Sequence, residues 1–311
     1  MTHNHASQSN VELDSFPSLV TPRPISVPEI AFLNSAYMPI EDAKISINDR
    51  GFVYGDGVYE VMVAYGGHPF RMHQHLQRLK RSAAEIRLAL TSSVEEIERV
   101  MMEGIERAGF DDTMVYLQFT RGVAPRKHSF PANTKPTFVA TFREKPITSE
   151  QTRRDGVNLV TIEDLRWGAC FVKSIALLPN VLAYQQAQDS EAFEAILHAA
   201  DGVVHECSVS NIFFVQDGRI VTPAKTNKNL HGITRRAVLD FANDLDIPTS
   251  EEAVQLDAIL AADEVFLSGT TFEVLGAVKI DDRNIANGTV GPVTQRVAAH
   301  FRLTIEQGRY E

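Results

Sequence analysis

The sequence predicts a mixed α/β (α+β) protein built from two domains. With 311 residues, the chain is longer than a single hydrophobic core usually fills. Short strand patterns and amphipathic helix patterns follow one another along its length, which is typical of sheets covered by helices. Near the middle, the polar stretch 144–149 contains a proline and interrupts this pattern. We therefore expect an extension at residues 1–30, a smaller N-terminal domain at 31–146, a linker at 147–152 and a larger C-terminal domain at 153–311.

Composition and charge argue against several classes of protein. Hydrophobic residues make up 44% of the chain and charged residues 23%, as in ordinary globular proteins. A formal net charge of -10 disfavours nucleic-acid binding, which needs clustered lysines and arginines. The sequence has no apolar run long enough to cross a membrane and no apolar signal-peptide core. Cys170 and Cys207 have neither disulfide nor metal-ligand spacing, so we expect a cytoplasmic protein without a metal site.

The N-terminal domain is predicted to combine strands with two helices. Apolar residues recur at three- and four-residue steps between His73 and Leu90, as in an amphipathic helix. Ser93 and Glu96 form a capping box that opens the second helix. The pair Gly66-Gly67 predicts a hairpin turn after a strand rich in valine and tyrosine. Further strands are expected at residues 30–33, 43–47, 114–122 and 136–143, with a loop at 51–57.

The C-terminal domain is predicted from the same kinds of pattern. Asp217-Gly218 is a strong hairpin signal between residues 203–215 and 219–222. The apolar run 263–271 predicts a buried strand that ends in a Gly/Thr turn. Strands are also expected at 157–162 and 192–198, and helices at 179–190, 232–245, 256–262 and 293–307.

Lys173 is unusual because it stands inside the apolar run 170–180. One interpretation is that its stem lies on the core while its ammonium reaches water. The other is that its amine is kept neutral by burial, or is consumed chemically, and acts as a nucleophile or base. The run taken alone favours the first interpretation, since a lysine is rarely buried without a partner.

Four other segments carry groups suited to charged ligands. Glu206 opens an apolar strand; it is either a surface residue or the partner of a protonated ring nitrogen. Gly232-Ile233-Thr234 and Gly269-Thr270-Thr271 are either plain caps and turns or, with Arg78, a phosphate site. The loop Pro125–His128 is either a solvated basic turn or a site for a carboxylate.

A series of short motifs occurs in one order along residues 30–305. They are Asp49-Arg50-Gly51, Tyr54-Gly55-Asp56-Gly57-Val58-Tyr59-Glu60-Val61, His75-Leu76-Gln77-Arg78-Leu79, Thr120-Arg121-Gly122, Pro125-Arg126-Lys127-His128, Asp164-Leu165-Arg166-Trp167, Val172-Lys173-Ser174, Glu194-Ala195-Ile196-Leu197, Glu206 to Asn211, Gly232-Ile233-Thr234-Arg235 and Thr270-Thr271. In this order the motifs resemble the fold-type IV enzymes that use pyridoxal 5′-phosphate, the class IV aminotransferases. Within that family they are most similar to the branch that acts on D-amino acids.

The resemblance implies a role for each matching residue. Lys173 would form the aldimine with the cofactor and then move the proton at the substrate Cα, while Glu206 would pair with the ring nitrogen. The implied cofactor-binding residues are Arg78, Lys173, Glu206, Ser210, Leu230, Ile233, Thr234 and Thr270. The implied substrate-binding residues are Tyr59, Val61, Arg126, His128 and Thr271. Tyr59, Arg126 and His128 would hold the substrate α-carboxylate.

The resemblance also implies an activity and an assembly. It predicts a homodimer that transfers an amino group from a D-amino acid to a 2-oxo acid such as 2-oxoglutarate or pyruvate. Three alternatives share the fold: an (R)-selective amine aminotransferase, a branched-chain aminotransferase and an aminodeoxychorismate lyase. A non-enzymatic binding module is the alternative from another class.

Overall fold

Two β-sheets with flanking helices make up the protein. A computed structural model describes residues 29–311, so the predicted extension at residues 1–30 lies outside the described residues except for its last two positions. The sheets divide the chain between Glu144, the last residue of the first sheet, and Val157, the first residue of the second. No helix within residues 29–311 is long and apolar enough to span a membrane.

The first sheet has six strands in the order β2-β1-β6-β5-β3-β4, and all neighbouring pairs are antiparallel. Its strands are β1 (Ile30–Leu33), β2 (Ala36–Pro39), β3 (Gly57–Tyr65), β4 (His68–Pro69), β5 (Asp112–Thr120) and β6 (Thr137–Glu144), joined by a 3-10 turn (Ile40–Asp42) and by helices α1 (Arg50–Tyr54), α2 (Met72–Glu85) and α3 (Val94–Ala108). Because side chains alternate along β3, Val58 and Met62 pack with the apolar faces of α2 and α3, whereas Tyr59 and Val61 lie on the opposite face.

The second sheet has ten strands, with order β12-β11-β10-β14-β15-β7-β8-β9-β13 and β16 paired to β15. The strands are β7 (Val157–Glu163), β8 (Glu194–His198), β9 (Val203–Cys207), β10 (Asn211–Gln216), β11 (Arg219–Pro223), β12 (Thr249–Glu252), β13 (Val254–Gln255), β14 (Glu264–Gly269), β15 (Glu273–Ile280) and β16 (Arg283–Asn284). The helices are α4 (Glu150–Asp155), α5 (Leu178–Asp189), α6 (Ile233–Asp244), α7 (Leu256–Leu260) and α8 (Pro292–Glu306). Helices α6 and α8 cover one face, where Phe213, Phe266 and Phe301 share a core.

Most predicted elements are confirmed, and four predictions are wrong. The hairpin arm expected at 203–215 is interrupted: β9 pairs with β8 and β13, and only β10 forms the hairpin with β11. Residues 43–47 alternate in polarity but form no strand, since four of the five are exposed and none pairs with a sheet. Part of the loop expected at 51–57 is instead the short helix α1, whose first free amide, that of Gly51, donates to the Asp49 carboxylate at 2.8 Å. Helix α2 ends at Glu85 rather than Leu90. The capping box of Ser93 and Glu96 is present at the start of α3.

The segment that carries Lys173 joins the two sheets. Its backbone lies beside the start of β3: the Tyr59 amide donates to the Lys173 carbonyl at 3.0 Å, and the Ile175 amide donates to the Gly57 carbonyl at 3.1 Å. Gly57 permits this approach, because a Cβ there would lie 2.9 Å from Cδ1 of Ile175 in the Lys173 segment. Three residues after Ile175 the chain enters α5, which packs on the second sheet.

Candidate active site

A cavity of about 420 Å³ lies where the two sheets meet. The first sheet and its helices contribute Tyr59 and Arg78 to the wall, and every other lining residue comes from the second half of the chain. The cavity size suits a drug-sized or cofactor-sized molecule, and its wall combines apolar surface with a few charged groups.

Lys173 is half-buried and lines this cavity. Its Nζ lies 4.2 Å from the centroid of the Tyr59 ring, and Tyr59 in turn stacks on Tyr116 with centroids 5.5 Å apart. The Lys173 amide donates to the Ser82 hydroxyl of α2 at 3.1 Å, which adds a third backbone anchor. The lysine amine therefore points into an enclosed space from a firmly held backbone.

Glu206 lies at the end of β9, 5% exposed, and also lines the cavity. Its carboxylate accepts hydrogen bonds from Arg166 Nη1 at 2.5 Å, from Asn211 Nδ2 at 3.1 Å and from the Leu230 amide at 2.9 Å. Burial raises the pKa of Glu206, and the Arg166 charge, with the hydrogen bonds from Arg166 and the Leu230 amide, opposes that shift. The arrangement holds a charge-compensated carboxylate in a dry wall.

Arg166 is itself held by a second carboxylate, that of Asp164. Arg166 Nη2 donates to Asp164 Oδ2 at 2.9 Å, and His205 Nδ1 lies 2.8 Å from the same oxygen. Although burial opposes ionisation of Asp164, hydrogen bonds from Arg166 and His205 lower its pKa to about 2. The chain Asp164–Arg166–Glu206 thus carries alternating charge up to the cavity.

The start of α6 faces the same cavity. Gly232 precedes the helix without any side-chain cap, so the first backbone amides, those of Ile233 and Thr234, have no side-chain acceptor. A Cβ on Gly232 would clash with Asn211, so the position requires glycine. Thr270, which directly follows β14, lines the cavity with these residues. Free amides at the positive end of a helix, with threonine hydroxyls beside them, form an anion site.

Arg78 completes the charged wall on the side of α2. It is 3% exposed and makes a paired contact with Glu60, Nε to Oε1 at 2.7 Å and Nη2 to Oε2 at 2.8 Å. His75 Nδ1 lies 2.7 Å from Glu60 Oε2, and Arg78 Nη1 donates to the His231 carbonyl at 3.1 Å. Burial opposes ionisation of Glu60, but the Arg78 charge lowers its pKa to about 2. The guanidinium is therefore fixed before any anion arrives.

The donor set fits pyridoxal 5′-phosphate. The start of α6 and Arg78 suit a dianionic phosphate, Glu206 suits a protonated pyridine nitrogen, and the Lys173 amine suits an aldehyde carbon. Within the described residues, no group of three or more histidine, cysteine, aspartate or glutamate side chains is placed to hold a metal ion.

Comparison with known proteins agrees with this chemistry. The sequence profile described as "Amino-transferase class IV" matches residues 57–280. The chain belongs to the class IV aminotransferases. Its relatives include the D-alanine aminotransferase of Staphylococcus haemolyticus, 41% identical over 88% of this chain and 97% of that protein, and that of Bacillus licheniformis, 41% identical over 88% and 95%. A branched-chain amino acid aminotransferase from T.th., solved with pyridoxamine 5′-phosphate, superimposes with a TM-score of 0.85 at 30% identity, over 91% of this chain and 95% of that one.

As a class IV aminotransferase the chain uses pyridoxal 5′-phosphate, and the residues predicted to bind it share one cavity. All eight predicted cofactor-binding residues line the cavity: Arg78, Lys173, Glu206, Ser210, Leu230, Ile233, Thr234 and Thr270. The predicted substrate-binding residue Tyr59 lines it too. Ser210 has a structural task there, since its hydroxyl and amide donate to the buried Glu194 at 2.8 and 2.9 Å. Burial raises the pKa of Glu194 to about 7 against these donors.

Four predicted substrate-binding residues do not line the cavity of their own chain. Val61 shares the face of Tyr59 but lies two residues further along β3, and Thr271 lies beyond the end of β14. Arg126 and His128 stand on an exposed loop, where both pack against Tyr54 of α1, at 5.5 and 5.4 Å from its ring centroid. One chain alone thus brings together the cofactor residues but not the predicted carboxylate site.

Several cavity residues were missed from the sequence. Arg166 and Trp167 stand in a motif that matches the family, but no local pattern connected Arg166 with Glu206, which lies 40 positions away. Asn180 and Tyr184 line the cavity from α5, a helix without a distinct apolar face. The signal that could have drawn attention to α5 is its number of apolar residues. The folded chain leaves part of that apolar surface exposed, and an exposed apolar surface is typical of a binding site or a protein contact.

Proposed function

We propose that this aminotransferase exchanges an amino group between a D-amino acid and a 2-oxo acid such as pyruvate or 2-oxoglutarate. The observation that carries the proposal is the identity of 41% to proteins named D-alanine aminotransferase, over nearly their whole length, in a chain whose cavity keeps the full donor set for the cofactor. We also infer a cytoplasmic location, because Cys170 and Cys207 are both unpaired thiols.

In this proposal Lys173 is the catalytic residue. The bound cofactor supplies an electrophilic carbon and a ring that accepts electrons from the substrate Cα. The Lys173 amine would hold the cofactor between turnovers, then take the proton from the substrate Cα and deliver it to the cofactor carbon from the same side. Because its backbone is anchored at three points, the amine reaches the substrate from one side only. The carboxylate site then determines how the remaining substituents lie, and the two together determine the chirality of the amino acid.

Glu206 would keep a negative charge beside the ring nitrogen. Arg166 and Asn211 orient the Glu206 carboxylate, and their hydrogen bonds stabilise its ionised form in a buried wall. A fixed anion there keeps the ring nitrogen protonated, and a protonated ring accepts electrons from the substrate Cα more readily.

The phosphate would bind at the start of α6. The amides of Ile233 and Thr234, the Thr270 hydroxyl and the Arg78 guanidinium are the donors that we assign to it, and Leu230 would pack on the ring. Glu60 neutralises part of the Arg78 charge, so the phosphate meets an oriented donor rather than a mobile cation.

We further propose a homodimer in which the loop of one copy completes the cavity of the other. Large apolar side chains are exposed around the cavity mouth, with Val181 58%, Val209 64% and Trp167 49% exposed. Such a surface is typical of a protein contact. A second copy seated on it would allow Arg126 and His128 to reach the substrate carboxylate beside Tyr59, which their own chain does not allow. We also propose that residues 31–146 and residues 153–311 form two separate domains.

The second candidate is a branched-chain aminotransferase, favoured by the superposition on the T.th. enzyme. Half-reactions separate the two candidates, since each productive amine removes the visible absorbance that the lysine-bound cofactor shows near roughly 400 nm. D-Alanine, L-leucine and (R)-1-phenylethylamine are offered in turn to the cofactor-loaded protein. We expect D-alanine to remove the band fastest; a response confined to L-leucine contradicts the proposal.

A further inference from the structure

A buried network of three charged residues supports the loop that carries Arg126 and His128. Asp56 lies between two arginines: Arg50 Nε donates to its Oδ2 at 2.7 Å, and Arg121 Nε and Nη2 donate to Oδ2 and Oδ1 at 2.9 Å. The exposed fractions of the three side chains are only 5% for Arg50, 11% for Asp56 and 9% for Arg121. Burial opposes ionisation of Asp56, yet the two arginines lower its pKa, so the network holds its charges.

The network reaches the loop at the peptide between the two predicted carboxylate ligands. Arg50 Nη1 donates to the Lys127 carbonyl at 2.6 Å, and Lys127 stands between Arg126 and His128. Arg50 also lies over the Tyr54 ring, at 4.8 Å from its centroid, the same ring that Arg126 and His128 contact.

Arg121 supports the other end of the loop. Its guanidinium lies 3.7 Å from the centroid of the Phe130 ring, and the same side chain donates to the carbonyls of Ile86 and Arg87 at the end of α2. Residues 125–130 are otherwise exposed, so these contacts determine where the loop lies.

We propose that Asp56, acting through Arg50 and Arg121, is a positioning residue for substrate: it fixes the peptide between Arg126 and His128 so that both side chains present a preformed carboxylate site. The inference rests on the proposed role of Arg126 and His128. A loop with a free backbone would have to be ordered each time substrate binds, whereas a loop fixed by three buried charges keeps its donors in place. Displacing such donors by about 1 Å costs about 100-fold in reactivity.

The substitution Arg50→Lys tests the network with little change in charge. Arg50 reaches Asp56 through Nε and the Lys127 carbonyl through Nη1, whereas a lysine has one nitrogen on a flexible stem, so the loop loses its rigid anchor while the ion pair remains. We expect the KM for D-alanine to rise about tenfold, with the cofactor Kd and the thermal midpoint nearly unchanged. Arg71→Lys is the matched control, because Arg71 is a buried arginine paired with Asp240 at 2.8 Å and lines no part of the cavity. Asp56→Asn is the second variant should Arg50→Lys not fold.

A double-mutant cycle identifies the path of the effect. If Arg50 acts through the loop, Arg50→Lys raises KM in the wild-type chain but adds nothing in a chain that carries both Arg126→Ala and His128→Ala. If Arg126→Ala raises KM while Arg50→Lys and Asp56→Asn do not, the positioning inference is overturned and the carboxylate site stands. If Arg126→Ala and His128→Ala both leave KM unchanged, the proposed substrate site fails, and this inference fails with it. A rise in cofactor Kd equal to the rise in KM would show a general structural defect and would also overturn the inference.

Discussion

The cavity wall and the Arg126–His128 loop differ in how complete they are within one chain. The wall holds Lys173, Glu206, Arg78 and the start of α6 around one space, and the three side chains are set by hydrogen bonds of their own or of their backbone. The loop is equally well anchored, but its two predicted ligands lie outside that space and are exposed.

The difference indicates a division between cofactor binding and substrate selection. In the proposed enzyme one chain would bind and activate the cofactor, because both sheets of that chain supply residues to the cavity wall. Recognition of the amino acid would need a second copy, so that only the assembled enzyme selects its substrate. The following experiments test each side of this division, in order of expected effect.

The largest loss is expected for Lys173→Ala. Removing the amine abolishes the group that takes the α-proton, and kcat should fall about 10,000-fold or more. Steady-state kinetics with D-alanine measure the loss. Lys80→Ala, which changes an exposed lysine of α2 that lines no part of the cavity, is the control; comparable activity in both variants would refute the role of Lys173.

Glu206→Gln is expected to lower kcat about 100- to 1,000-fold, as found when a fixed group that stabilises a transition state is removed. The variant keeps the size of the side chain and loses its charge, so the cofactor should still bind and its visible spectrum should change. Glu163→Gln, at the exposed end of β7, is the control. A variant with normal kcat would show that the ring nitrogen needs no anion from this position.

Arg126→Ala should raise the KM for D-alanine about 10- to 100-fold, the cost of losing a hydrogen bond to a charged group. A mixing experiment locates the site of action. When Lys173→Ala and Arg126→Ala chains are dissociated and reassembled together, each mixed dimer has one site with both residues intact. At D-alanine concentrations near the wild-type KM, where Arg126→Ala sites are mostly empty, about a quarter of the wild-type activity should return under random pairing. No recovery would place Arg126 in its own chain's site, or in none.

Thr234→Ala should weaken cofactor binding only about three- to tenfold, because one hydroxyl donor is lost while the α6 amides remain. Titration of the apoprotein with pyridoxal 5′-phosphate measures the Kd, and inorganic phosphate should compete in both proteins. Thr249→Ala, exposed in β12, is the control. An unchanged Kd would remove Thr234 from the phosphate site.

The last test concerns the stability of the fold rather than activity, and it follows the effect of pH on Glu60. Its folded pKa of about 2 lies below its unfolded value of 4.5, so its ion pair stabilises the fold above pH 4.5 and loses this contribution as the pH falls towards 2. A pKa shift of that size corresponds to about 3 kcal/mol in the free energy of unfolding. Urea unfolding between pH 6 and 3 should therefore show a steeper loss of stability in the wild type than in Glu60→Gln. Parallel curves would contradict this assignment.

The helices, the strands and the cavity residues could be predicted from the sequence better than the contacts between residues that are distant in the sequence. The capping box at Ser93 and the turn at Gly66-Gly67 are local signals, and both are confirmed. Helix α1 was missed because five residues show no periodicity, and its cap at Asp49 could be recognised only from the coordinates. The contact between Arg166 and Glu206 arises from tertiary packing, which no spacing rule encodes. For Arg126 and His128 the motif implies a role, but a motif does not say which copy of the chain they serve.

The attachment of Lys173 to β3 has a consequence for how the enzyme will fail under stress. The backbone of Lys173 is bonded to the first sheet, whereas Glu206 belongs to the second. A slight separation of the sheets therefore moves the amine away from the opposite wall while each sheet keeps its own hydrogen bonds. Such sub-global opening requires less free energy than complete unfolding. On warming, activity should disappear at a lower temperature than secondary structure, and a bound cofactor, held from both sides, should close that gap.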